Sequence, residues 1–389
     1  MAVIAAESGF DLTLTAEQEQ VQRTARAFAS EKVLPRAAEI DEQARIPREL
    51  ISEMGALGFM GICVPERYGG SQLDMLTYVL VAEEINRACA STGVVLCTHV
   101  SLAIDPILRF GTEAQKARFI PGLARGERIG CFALSEPASG SDAAAMRTSA
   151  RRDGDAWVLN GTKNFITNGS IADVAVVFAQ TDPAAHQKGI AAFIVEKGTP
   201  GFGVGKLERK LGIRGSDTAQ LVFQDCRVSA VNLLGEVGEG LRIALSTLDG
   251  GRISIAAQAV GIARACLEDA LAYAKEREAF GKKIADFQAI QWKLADMATE
   301  IDAARLLTWR AAALKDADQD HILAAAEAKL FASDVAVKAS RDCVQIFGGY
   351  GYLKDFPAER HYRDAKITEI YEGTSEIMNL VIADELLRE

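Results

Sequence analysis

Several common signatures are missing from this chain of 389 residues, and each absence removes a class of function. No apolar stretch of about 18 residues runs free of charge, so no membrane-spanning helix is expected. The seven cysteines, at 63, 89, 97, 131, 226, 266 and 343, show no CxxC spacing. An odd number in largely apolar surroundings predicts reduced, buried thiols and argues against a disulfide framework. The four histidines (99, 186, 321 and 361) form no HExxH and join no cysteine motif, so no metal is assigned. Neither GxGxxG nor a P-loop follows a strand pattern, and Gly201-x-Gly203-x-Gly205 lacks the spacing and reads as a loop. Residues 1–9 carry no basic flank, too short an apolar run for a signal peptide, and none of the Arg-rich character of a transit peptide. The expectation is a cytoplasmic protein. There is no repeat and no low-complexity tract.

What is present is ordinary for a soluble globular protein: 49% hydrophobic and 25% charged residues, in a length that predicts two or three domains. A net charge of −10, from 43 basic and 53 acidic residues, argues against non-specific nucleic-acid binding. It leaves room for a local basic pocket around an anionic cofactor.

The texture changes twice along the chain, giving expected domains at 1–127, 128–237 and 238–389. The first is helical. Thr15-Ala16-Glu17-Gln18 reads as a capping box, Val21, Ala25 and Phe28 continue an apolar face, and Gly69-Gly70 breaks the pattern. The second is strand-like, with a hairpin around Asp153-Gly154 and a further tight turn at Asn160-Gly161. Apolar runs at 174–179, 190–195 and 221–223 have strand length with no helix pattern between them, which predicts an antiparallel β-domain. The third is helical again. Phe287, Ile290, Leu294, Met297 and Ile301 form a stripe spaced by three and four, and Glu327, Lys329 and Asp334 mark exposed positions on the next helix. Long helices with short polar loops predict a four-helix bundle.

The run Ile370-Tyr371-Glu372-Gly373-Thr374-Ser375-Glu376-Ile377 carries the most chemistry. It sets a carboxylate, Glu372, just before an apolar-periodic helix that Thr374 and Ser375 can cap, and Gly373 permits unusual backbone geometry. The helix N-terminus favours the anion of Glu372, whereas burial in an apolar pocket raises its pKa. A base for a weakly acidic carbon-bound proton needs the second influence. The alternative is a capped helix with a solvated acid. Two further segments stand between readings of the same kind. The turn after residue 132, with Pro137, Gly140 and Ser141, is either an ordinary β-turn or a cradle of amides and hydroxyls. Arg277, in Arg277-x-x-Phe280-Gly281, suits a diphosphate or a surface ion pair.

Taken together and in order, these segments resemble the acyl-CoA dehydrogenase family, and the short-chain (butyryl-CoA) branch above all. The resemblance runs from Cys131-Phe132-Ala133-Leu134-Ser135-Glu136-Pro137 with Gly140-Ser141-Asp142, through Asn160-Gly161-Thr162-Lys163 and Ile166-Thr167-Asn168, to Leu211-Gly212-Ile213-Arg214-Gly215-Ser216. It continues through residues 277–281 and 345–349, Ala358-Glu359-Arg360 with Arg363-Asp364-Ala365, and the run at Glu372. It covers nearly the whole chain.

The resemblance implies a helical domain, a β-domain and a helical bundle, with FAD between the last two and a neighbouring subunit. It places Phe132, Ala133, Leu134, Ser135 and Ser141 along the flavin, Ser141 touching the acyl-CoA as well. Phe165, Ile166 and Thr167 match the segment over one flavin face, Phe165 standing where the family usually has tryptophan. Arg277, Phe280, Gln288, Gln345, Ile346, Gly348 and Gly349 match further FAD contacts, Gln288 reaching a partner subunit's cofactor. Thr374, Ser375 and Glu376 complete the set. Asp249-Gly250-Gly251-Arg252, read as opening a long helix, lies by resemblance beside the CoA chain, with Asp249, Arg252 and Gly373 as substrate contacts. Relatives of the isovaleryl and long-chain type carry their glutamate near residue 251; glycine there cannot be a base, leaving Glu372. The implied reaction converts a short acyl-CoA to trans-2-enoyl-CoA, passing electrons to an electron-transfer flavoprotein, in a homotetramer built as a dimer of dimers. Branched substrates (isobutyryl- or 2-methylbutyryl-CoA), a flavin oxidase or monooxygenase of the same fold, and a non-catalytic acyl-CoA-binding protein are the alternatives.

Overall fold

The computed structural model describes residues 13–388; the signal-peptide reading of residues 1–9 lies outside them. The first helices are α1 (Ala16–Phe28), α2 (Ala37–Gln43), α3 (Arg48–Ala56) and α4 (Met75–Ala88). They are followed by α5 (Ala90–Cys97), α6 (Asp105–Phe110) and α7 (Glu113–Ala124). The Thr15 capping box forms as the sequence predicts, Gln18 N–H donating to Thr15 Oγ1 and Gln18 Oε1 accepting from Thr15 N–H. A π-helical stretch, Thr98–Ile104, joins α5 to α6. Ala90–Phe110 has the length and apolar character to cross a membrane, but nearly nine-tenths of its apolar window is packed inside the molecule.

The middle of the chain forms β1 (Gly130–Ala133), β2 (Ser149–Asp153), β3 (Ala156–Thr167) and β4 (Val174–Gln180). It continues with β5 (Ile190–Glu196), β6 (Phe202–Leu207), β7 (Thr218–Ser229) and β8 (Leu233–Leu234). The order is β6-β7-β3-β2-β4-β5-β8, with β1 alongside β4. Most pairs are antiparallel as predicted, but β1 runs parallel to β4, so the sheet is mixed. The hairpin at Asp153-Gly154 is present. Asn160-Gly161 makes no turn. It lies inside β3 at a register shift against β7, where a Cβ on Gly161 would meet Thr148 Oγ1 at 2.5 Å. Gly203 and Gly205 belong to β6 and form no loop.

The last third holds α8 (Gly240–Glu276), α9 (Gln288–Asp316) and α10 (Ile322–Phe347), with α11 (Ala358–Ala365) and α12 (Ser375–Leu387) laid against α10. Of the stripe Phe287, Ile290, Leu294, Met297 and Ile301, the last two are buried and the first three partly buried. Two expectations fail here. Helix α8 begins at Gly240, so Asp249 to Arg252 sit in its third and fourth turns and do not open it. Lys329 is fully buried. All seven cysteines are free thiols, six of them buried.

Candidate active site

Between Ile370 and α12 the backbone takes two consecutive left-handed turns, Glu372 at φ 53° and Gly373 at φ 100°. Glycine adopts this region freely; for Glu372 it costs roughly 1 kcal/mol and needs outside support. Three contacts provide it. Thr374 caps α12, its Oγ1 accepting from Ile377 N–H at 3.3 Å. Tyr371 donates its hydroxyl to Gln258 Oε1 on α8. Lys329 Nζ on α10 donates to the Gly373 carbonyl at 2.6 Å.

The loop thus presents its carboxylate inward. The Glu372 residue is partly exposed through its other atoms, but its Oε2 is closed off from solvent and accepts no hydrogen bond from the described residues. Burial pushes its pKa up to about 8, against the opposing pull of the Lys329 and Arg252 cations. Arg252, almost fully buried, donates to Asp249 Oδ1 at 2.6 Å. Burial lowers the Arg252 pKa, opposed by Asp249 and then Glu372. Burial likewise drags Lys329 down to about 8, the Glu372 charge resisting. Opposite the carboxylate is Gly251. A Cβ built there would lie 2.2 Å from Glu372 Oε2 and 2.9 Å from Leu102 Cδ2, so with glycine here the carboxylate packs directly against the α8 backbone, and any side chain would displace it.

Leu102 links this carboxylate to the strand end read as a flavin cradle, because it shares one apolar cluster with Phe132 and Leu134. Ala133 is fully buried, Ser135 partly exposed and Ser141 exposed. The turn is braced from below by a buried ion pair. Lys163 Nζ donates to Glu136 Oε1 at 2.8 Å and to Leu134 O at 2.9 Å, and Glu136 also accepts from the Arg147 and Thr148 amides. Asn164 N–H donates to Ser135 O at 2.8 Å, setting the end of β3 beside the turn. There Phe165, at φ 59°, turns its ring outward with 63% exposure, Ile166 points into the core and Thr167 lies at the margin.

A second group gathers at the other end of α10. Arg277 caps α8 and stands 5.5 Å from the Tyr350 ring centroid, beside the turn made by Gln345, Gly348 and Gly349. Phe280 is 96% exposed, Gln288 opens α9 and is exposed, and Ile346 is core, so only its backbone can face a ligand. From Lys329 to Gln345 is 16 residues of helix, about 24 Å at 1.5 Å per residue. The predicted site residues therefore fall into two clusters at opposite ends of one helix.

Lys329, Leu102, Gln258 and the Glu136–Lys163 pair escaped the sequence reading as site elements. For Lys329 the signal was there: Ala325, Lys329, Ala332 and Ala336 follow helical spacing, and all four are fully buried.

Comparisons with known proteins agree with this layout. Three family models match in order: the acyl-CoA dehydrogenase N-terminal domain over residues 15–127, the middle domain over 131–226 and the C-terminal domain over 238–387. The human mitochondrial short-chain specific acyl-CoA dehydrogenase is 54% identical over 366 residues, 94% of this chain and 89% of that protein. The butyryl-CoA dehydrogenase of Megasphaera elsdenii superposes with a TM-score of 0.96 at 48% identity, covering 97% of this chain and all of the other. A chain from a structure of the electron transferring flavoprotein of Acidaminococcus fermentans gives a TM-score of 0.97 at 51% identity, with 98% of this chain and all of that one covered. With all three domain models matched in order and identity near one half over almost its full length, the chain belongs to the acyl-CoA dehydrogenase family.

Proposed function

We propose that this protein dehydrogenates short straight-chain acyl-CoA thioesters to trans-2-enoyl-CoA, with FAD as its cofactor and Glu372 as the base. The observation that carries the reading is a carboxylate oxygen closed off from solvent, without a hydrogen-bond donor among the described residues, on a helix-capping loop and packed against Gly251. A pKa of about 8 makes Glu372 a far stronger base than a solvated carboxylate, suited to a weakly acidic thioester α-proton. Once it ionises, Lys329 and Arg252 stabilise the anion; once it takes the proton, the buried site loses an unfavourable charge. The Glu372 backbone N–H is positioned by the loop contacts to donate to the thioester oxygen as negative charge builds there.

The residues fit FAD. Ser375 Oγ and Asn164 Oδ1 are shut from solvent without partners, and the space beside Gly140, Gly281, Gly348 and Gly349 is open. Phe132, Ala133, Leu134, Ser135, Ser141, Phe165, Ile166, Thr167 and Thr374 to Glu376 would hold the flavin end. Arg277, Phe280, Gln288 and the 345–349 turn would hold the diphosphate and adenine end in a partner subunit. When bound, the cofactor supplies the acceptor for the β-hydride. Ser141, Asp249, Arg252 and Gly373 are assigned to the acyl-CoA. An electron-transfer flavoprotein is the proposed electron acceptor, a homotetramer the proposed assembly and the cytoplasm the proposed compartment. Exposed apolar side chains on the C-terminal helices, among them Trp292 and Leu380, support the assembly.

The test is Glu372→Gln, nearly isosteric and unable to take the proton. Flavin content and acyl-CoA binding should persist while dye reduction with butyryl-CoA falls to under a hundredth. Retention of more than about a tenth of the rate, under ~1.4 kcal/mol, would reject Glu372 as base. Straight and branched acyl-CoAs assayed side by side test the substrate reading.

A further inference from the structure

A lysine on the inner face of α10, with no exposed surface, is costly unless its charge has a use. Among the described residues the Lys329 ammonium makes a single hydrogen bond, to the carbonyl of Gly373, the residue directly after Glu372. The charged groups around it are Glu372 from the loop, Arg252 from α8, Glu369 from the 3-10 turn before the loop, and Asp334 on its own helix. Most of these are engaged elsewhere. Arg252 is paired with Asp249, and Glu369 with Lys366. Burial raises Asp334 and leaves its charge unfavoured. Among the described residues, Lys329 is thus a cation beside Glu372 that has no carboxylate partner of its own.

We propose that Lys329 is a positioning residue for the base: its ammonium fixes the 372–374 backbone through the Gly373 carbonyl and holds Glu372 able to ionise near neutral pH. This rests on the reading of Glu372 as the base. The two roles separate chemically. The hydrogen bond sets where the carboxylate points and where its backbone N–H is aimed, and any donor of the right length could supply it. Ionisation of a carboxylate in a dry site needs a positive charge, which a neutral donor cannot supply.

The test compares Lys329→Met, which loses both roles, with Lys329→Gln, which can keep a donor without the charge. In both, the acidic limb of the kcat profile should move up by a pH unit or more, a loss of ~10-fold or more at pH 7 that is largely regained by pH 9. KM should change less than kcat. Independently of turnover, the carboxylic-acid infrared band of Glu372, identified by its loss on Glu372→Gln, should persist to correspondingly higher pH. A third variant, Lys329→Ala, should regain activity with added propylammonium and not with butanol of similar size. An unmoved pH profile and infrared titration would overturn the proposal, as would equal rescue by butanol. Failure of all three variants to fold, with no amine-dependent recovery, would assign Lys329 to packing and overturn it as well. If Glu372→Gln is inactive but these profiles stay put, this inference alone fails; if Glu372→Gln is active, the base reading itself fails.

Discussion

At the scale of single residues, a carboxylate that resists ionisation in the folded state leaves a thermodynamic trace. Glu372 has a folded pKa of about 8 against an ordinary 4.5. Between those values the folded protein holds a proton that the unfolded chain releases, so stability falls as pH rises through this window and falls no further above it. Glutamine cannot titrate. Glu372→Gln should therefore gain stability relative to wild type as pH rises from about 5 to 8, by ~1–4 kcal/mol, read by urea unfolding at each pH. A constant difference would mean that the carboxyl titrates normally. The facing glycine gives a second expectation. Gly251→Ala places a methyl 2.2 Å from Glu372 Oε2, so the carboxylate must move from its position, and kcat should drop at least ~10-fold with FAD content unchanged. Glu372 can be singled out in the sequence as a candidate base because a carboxylate before a capped helix is a local pattern. Lys329 is not, because a charged residue reads as surface by default, and its partner lies 44 residues away.

Elements show the same divide between local and distant causes. The Thr15 capping box and the Asp153-Gly154 hairpin are set within four residues and were readable as such. Asn160-Gly161 has the chemistry of a tight turn, yet β7 and Thr148 on either side hold it in an extended strand, and the glycine is needed for close packing. The sequence reading opens α8 at Asp249, whereas the helix starts at Gly240 and runs through the glycine pair at 250–251. Lys315 and Glu372 fill the space where those side chains would stand. The turn after β1, proposed to line the flavin, depends on such a distant partner too. Lys163→Met would leave Glu136 buried with backbone donors and no cation, at a cost of ~3–5 kcal/mol. The expected result is a lower melting temperature together with weaker FAD retention, whereas Lys163→Met with normal FAD retention would detach this pair from the cofactor site.

For the whole molecule, assembly and internal bracing carry the expectations. If Gln288 completes a neighbour's cofactor site, light scattering should give four chains, and Gln288→Ala should release FAD while leaving the fold intact. A fully active monomer would exclude this. Within the chain, the loop at residues 211–216 joins all three regions. Ile213 N–H donates to Asp364 on α11, Gly215 N–H donates to Ser91 on α5, and Arg363 makes a two-pronged contact with Asp41 on α2. Asp41→Ala should cost about 2–3 kcal/mol by stripping Arg363 of one of its two carboxylates. That clasp also sets an order of events during synthesis. Asp41 and Arg363 are 322 residues apart, so at roughly 5–20 residues per second the early helix waits on the order of 16–64 s for its partner to leave the ribosome. Until then the amino-terminal helices and the sheet have no α11 to close against, and contacts such as Gly215 to Ser91 are what can hold the nascent chain together.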